Sequence, residues 1–274
     1  MEVNDQEVIS ANPKQELLQD KSKYFHGIGF DLPRIPKILK IGILNEKDAL
    51  AQNANIQRNT RGFNLDDTIS VAESPSINNT YDHGAFGLYI KSGISFVIDK
   101  QKLHIFGIPS NITSDDLNVA RPSSRIRGEQ FIEGSVPRDN IVGVMVPKEM
   151  LDIKIAELPL GLRNIGWGQI NDKCKSLIAE VEKECAYSED TSKLEEFVQK
   201  RELVQQLKGD SLVKGKQEEQ IFLEMERVVT GFMERAYAKK LGKEDVRLKD
   251  VLEYYLPPAM KVYNTSGASI QLAQ

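Results

Sequence analysis

Two periodicities divide this chain, and the place where one gives way to the other limits what it can fold into. Up to about Pro147 the apolar residues come in short alternating runs: Thr68 to Ala72, Ile94 to Ile98, Glu129 to Ile132 and Ile141 to Val146. A period of two with β-branched residues suits a strand, whose successive side chains point to opposite faces. Beyond Pro147 the apolar residues recur every three or four positions. Ile170, Cys174, Leu177, Ile178, Val181 and Cys185 form one stripe, and Leu194, Phe197, Val198, Val204 and Leu207 a second. Ile221, Met225, Val228, Val229 and Phe232 form a third; Val251, Leu252 and Tyr255 form a fourth, stopped by Pro257-Pro258. Such stripes are core-facing surfaces of a helical bundle. The pattern predicts an α+β chain: a flexible arm over 1–22, a mixed β-sheet domain over 23–150, and an all-helical C-terminal domain over 165–263. The tail after Tyr263, small and polar, is expected to fray. The polar stretches 51–64 and 109–127 read as long loops, which are usually functional or disordered.

Composition narrows the function classes. Hydrophobic residues make up 40% and charged residues 28% of 274 residues, with a net charge of -4 and the two signs interspersed. That balance argues against a dedicated nucleic-acid coat or a polybasic membrane anchor. No stretch of about 18 apolar residues is present, so no membrane span is expected. Met1 to Lys23 lacks the basic start and apolar centre of a secretory signal. The expected location is therefore the cytoplasm, or outside the cell by a route that needs no such signal. Cys174 and Cys185 lie on one predicted helix, about 16 Å apart along its axis at its regular rise. They cannot pair with each other there, and read as small buried residues in a reducing compartment. His83 and His104 have no partners at metal-ligand spacing, so no metal is expected. No P-loop, nucleophile elbow or complete dinucleotide fingerprint occurs.

Two residues stand out chemically. Tyr24-Phe25-His26 reads as a strand carrying His26 into a glycine turn at Gly27, followed by a helix over Leu32 to Ile41 that stops at Gly42. An imidazole at a strand end can exchange hydrogen bonds with a ribose hydroxyl, and a glycine beside it lets a ligand approach the backbone. The same residues also suit a histidine that merely caps a turn. Glu129 stands at the mouth of an apolar strand, after a loop carrying Arg121, Arg125 and Arg127. A carboxylate there can bond a ribose hydroxyl and stabilise a developing oxocarbenium ion. It can equally be a strand-entry acid paired with those arginines.

A family resemblance joins the two. Phe25-His26-Gly27-Ile28-Gly29, then Ile35, Ile38-Leu39 and Gly42-Ile43-Leu44, resembles the first motif of ADP-ribosyltransferases. In the poly-ADP-ribose-polymerase branch and its diphtheria-toxin-like relatives, a strand ending in His-Gly-Ser/Thr precedes a helix reading Ile-x-x-Ile-Leu-x-x-Gly-Leu. Glu129-Gln130-Phe131-Ile132, Val136-Pro137 and Asn140 to Val146 resemble the catalytic-Glu strand and the strand after it. DNA-modifying bacterial toxins of the superfamily share a similar spacing. The resemblance spans roughly residues 23–147.

It implies an ADP-ribosyltransferase-like fold for 23–150 and NAD as substrate. His26 would hold an NAD ribose, Gly27 would contact the dinucleotide through its backbone, and Glu129 would be the catalytic acid. The middle motif is either Ser70, in a strand resembling Ser-Thr-Ser, or Tyr89, in Phe86-Gly87-Leu88-Tyr89, resembling a strand whose tyrosine stacks on nicotinamide. Arg125 and its neighbours would clamp the pyrophosphate or steer an anionic target. Arg127 stands where arginine-directed relatives carry Glu or Gln, which disfavours an arginine acceptor, because like charges repel. The implied activity is mono-ADP-ribosylation of a protein or nucleic-acid acceptor by a bacterial toxin or effector, with the helices serving a partner. An NAD glycohydrolase, an RNA 2′-phosphotransferase-like enzyme and an inactive binding scaffold are the alternatives.

Overall fold

The structure is a computed structural model and describes residues 17, 20–45, 48, 68–72, 93–106, 129–162, 167–206 and 211–272. The front half supplies β1 (Lys23–Gly29), α1 (Arg34–Ile41), β2 (Thr68–Ala72), β3 (Ile94–Asp99), β4 (Ile105–Phe106), β5 (Glu129–Glu133) and β6 (Ile141–Met145). The back half supplies α2 (Trp167–Cys185), α3 (Lys193–Gln206), α4 (Ser211–Leu241), α5 (Leu248–Tyr255), β7 (Lys261–Tyr263) and β8 (Ser269–Ile270). Among the described residues these strands form one eight-stranded sheet in the order β4-β5-β2-β1-β3-β6-β7-β8. Neighbours are antiparallel except β6 and β7, which run parallel. The fold is thus mixed α and β, with a helical C-terminal part.

Alternation sorts the strand residues onto two faces. Tyr24 and Ile28 of β1, with Ile94, Phe96 and Ile98 of β3, belong to a large apolar cluster that includes the back-half helices. Phe25, Val97 and Met145 belong to a second, small cluster with Leu17 from the N-terminal segment. The central strands are buried on both faces, so their apolar pattern is nearly continuous. Asp20 accepts hydrogen bonds from the Ser22 backbone and hydroxyl at 2.9 and 2.6 Å, forming a turn into β1. Residues 1–16 lie outside the described residues.

The predicted stripes fall on helices, except that Leu207 of the second lies outside the described residues. Ile170, Cys174, Leu177, Ile178, Val181 and Cys185 are all buried on α2, and Ile221, Met225, Val229 and Phe232 on α4. The two thiols are free, and burial pushes them up to about 12 and about 11 respectively. Between β6 and α2 the chain lies across α4: the Thr230 hydroxyl donates to the Ala156 carbonyl at 2.8 Å, and the Leu162 amide to Glu226 at 2.6 Å.

The C-terminus departs from expectation. The back half is not helical to its end, and after Tyr263, where fraying was expected, residues 264–270 form a turn and a strand. β7 lies beside β6, with Val262 opposite Val144, and β8 pairs back onto β7. One side chain explains the turn between them. Asn264 accepts from the Ser266 amide, the Ser266 hydroxyl and the Ala268 amide at 3.0, 2.7 and 2.9 Å. An asparagine that satisfies its own loop in this way fixes a tight turn in a segment whose composition looks merely polar. Adjacent parallel strands need a crossover between them, and α2 to α5 are that crossover.

Candidate active site

The two motif blocks meet in space. Gly42 ends α1 at φ 88°, donating its amide to the Ile38 carbonyl at 2.9 Å. A Cβ there would stand 2.1 Å from the Val136 carbonyl oxygen, so both conformation and contact demand glycine. The next residue, Ile43, exchanges backbone hydrogen bonds with Val136 at 3.0 and 2.8 Å. Arg138 Nε donates to the Leu39 carbonyl at 3.1 Å, and the Asn45 amide to Ser135 Oγ at 3.0 Å. The end of the first-motif helix is therefore fastened to the joint that follows the Glu129 strand. Ile35 and Ile38, the spaced residues of that motif, are the buried face of α1.

The sheet order then places the candidate residues. β1 carries His26 and Gly27, β2 carries Ser70, and β5 opens at Glu129; the three strands are neighbours in the order β5-β2-β1. Phe25 is opposite Ala72, and Ala72 is opposite Glu129, so the row through Glu129 crosses β1 one residue before His26. Two strand spacings separate the backbones of Glu129 and Phe25 by about 10 Å. Ser70 faces Phe131 across the β2–β5 ladder. For Ser70 and Glu129 the structure describes the backbone. Tyr89 and Arg125 lie outside the described residues, as do Arg121 and Arg127.

His26 is half-buried in the middle of β1, opposite Phe96 of β3. The expectation of a strand ending in a turn at Gly27 is corrected here: β1 runs on to Gly29, and Gly27 pairs with Ser95. The reason is a pair of glycines. The register slips between Gly27 and Gly29, leaving Ile28 as the extra residue of a bulge. Gly29 takes φ 63°, and a Cβ on Gly93 would come within 2.4 Å of the Gly29 Cα. Two backbones this close admit no side chain at either position. The turn follows instead at Phe30 to Pro33, so α1 begins at Arg34 rather than Leu32.

That turn contains a residue to which sequence reasoning gave no role. Asp31, only 9% exposed, accepts a hydrogen bond from Lys173 of α2 at 2.7 Å. Burial opposes its ionisation, but the Lys173 ammonium, with Arg34 and Lys37 nearby, holds the carboxyl below its ordinary range. The signal available in the sequence was an acid set between Phe30 and Leu32 in an otherwise apolar turn.

At the far end of β5, Glu133 meets His104 Nδ1 at 2.5 Å on an exposed edge, too open to resemble a catalytic pocket. Among the described residues no helix is long and apolar enough to cross a membrane. No protein-family model matches this chain, and no curated protein matches it either.

Proposed function

We infer that this chain is a mono-ADP-ribosyltransferase of the His–Glu branch, cleaving NAD and transferring ADP-ribose to a macromolecular acceptor. The observation that carries the reading is the convergence of the two motif blocks. The His26-Gly27 strand and the Glu129 strand are separated by one strand, which carries Ser70. The first-motif helix is hydrogen-bonded through Ile43 to the joint after β5. Residues far apart in sequence thus lie on three adjacent strands, with His26 alternating onto the face opposite Phe25, the residue in the Ala72–Glu129 row, and on this reading NAD reaches both motifs.

In this mechanism His26 orients a ribose hydroxyl, and Gly27, buried in β1 and paired with Ser95, would meet the dinucleotide through its backbone. Ser70 or Tyr89 supports the nicotinamide. Glu129 stabilises the positive charge that develops at the ribose as the glycosidic bond breaks, and positions the acceptor. Arg125 would meet the pyrophosphate. The chemistry asks for no resident cofactor, since NAD is itself the substrate.

The test is transfer of label from NAD onto a macromolecule in a cell extract, with the purified chain beside Glu129→Gln. Label on protein or nucleic acid that the variant fails to place supports the transferase and identifies the acceptor class. Release of nicotinamide without transfer points instead to a glycohydrolase. No binding and no consumption of NAD would leave a scaffold or the phosphotransferase-like enzyme.

A further inference from the structure

The helical half holds the first-motif strand by charge as well as by apolar packing. Asp31 sits four residues beyond Gly27, in the turn that the β1 bulge feeds. Its Oδ2 takes Lys173 Nζ at 2.7 Å, and among the described residues its buried Oδ1 has no hydrogen-bond donor. Lys173 is therefore the one hydrogen-bonding partner this carboxylate shows there. A second tie lies beside the first: Lys37 of α1 pairs with Glu180 of α2 at 3.0 Å. Lys173 and Glu180 are seven residues apart, two turns along one face of α2. Their charges are opposite, so a shifted α2 would bring like charges together. The two pairs set both the position and the register of α2 against the β1–α1 turn.

The bulge they hold is the most conformationally demanding part of β1. It needs a left-handed Gly29, a slipped ladder and close contact with Gly93. Such backbone persists only where its surroundings over-determine it. Upstream, the ladder to β3 fixes Gly27; downstream, Asp31 is the charged anchor of the turn, between the buried Phe30 and Leu32.

We propose that Lys173 is a positioning residue for the candidate site: through Asp31 it holds the Gly27–Gly29 bulge in the shape that receives NAD. This rests on the reading of His26-Gly27 as the dinucleotide-binding strand. It gives the helical half a role in substrate binding, exerted through the β1–α1 turn without touching substrate.

The experiment compares wild type with K173M, which removes the charge, K173R, which keeps it, and D250N as a control. Asp250 is a similarly buried acid, paired with Lys243 and capping α5, away from β1. Three readouts are taken: melting temperature, NAD affinity by calorimetry, and amide hydrogen exchange over residues 27–32. K173M is expected to weaken NAD binding at least tenfold and speed exchange at 27–32, with K173R restoring both. D250N is expected to lower the melting temperature while leaving affinity and exchange at 27–32 as in wild type. Wild-type affinity in K173M, or equal loss in D250N, would overturn the proposal. If wild type itself binds no NAD, the proposed function fails. Exchange at 27–32 then decides the positioning claim alone: faster in K173M only supports it, and unchanged overturns it.

Discussion

Asp31 is the residue whose chemistry is most tightly set by the fold. A carboxylate this buried persists ionised because Lys173 reaches it, and removing one member of such a pair costs about 3–5 kcal/mol. Asp31→Asn is therefore expected to destabilise the protein by about 3 kcal/mol at neutral pH, measured by urea unfolding. The pH dependence follows from the direction of its shift. The native carboxyl lies below its unfolded value of about 3.9, so its contribution is complete above that value and is lost as pH falls through the native one. The gap between wild type and variant should accordingly be constant from pH 6 to 8, in round figures, and close as pH drops below about 4. A gap that widened on acidification would contradict the assignment. At this scale the sequence was only partly readable. His26, Gly27 and Glu129 stood out because their residue types suit ribose chemistry. Asp31 did not, because its importance comes from a lysine 142 positions away.

Elements were far more legible than contacts between them. The boundaries of β2, β3, β5 and β6 and the stripes of α2 and α4 follow from periodicity, since alternation and helical spacing are imposed by which face meets the core. Three other strands, β1, β7 and β8, resisted that reading. β1 overran its predicted end because pairing with β3 continues through Gly29, an interaction invisible in a run of glycines. β7 and β8 were missed because they are three and two residues long, β7 hydrogen-bonding to a strand over a hundred positions earlier and β8 pairing back onto β7. The end of α1 carries a prediction. Gly42→Ala forces a side chain into a left-handed position and against the Val136 carbonyl. It is expected to cost at least about 1–3 kcal/mol in urea unfolding, and to loosen the Ile43–Val136 bridge, seen as faster amide exchange at both residues. Unchanged exchange there would show that the bridge does not depend on the glycine.

For the whole molecule, the parallel pairing of β6 with β7 matters most. The sequence suggested a β-rich front and a helical back in succession, and the coarse division is visible in the structure. The helices, however, cross between adjacent strands of one sheet, and a single apolar cluster contains Tyr24, Phe96, Met225, Tyr237 and Val262. A fragment of residues 23–150 would lose the strand beside β6 and expose the apolar face that the helices cover. It is expected to show no cooperative thermal transition by circular dichroism, whereas the full chain shows one; a cooperative fragment would mean that the front half folds alone. In this arrangement α2 of the helical part meets the β1–α1 turn through Lys173 and Asp31.

The central claim is that the neighbouring strands β1, β2 and β5 carry an NAD-cleaving site, and release of nicotinamide from NAD by the purified full chain tests it most directly. The account predicts turnover by wild type and a loss of about 10²-fold or more in Glu129→Gln, the order expected when a group stabilising transition-state charge is removed. Turnover that survives unchanged in Glu129→Gln, or a wild-type chain that neither binds nor cleaves NAD, would contradict it.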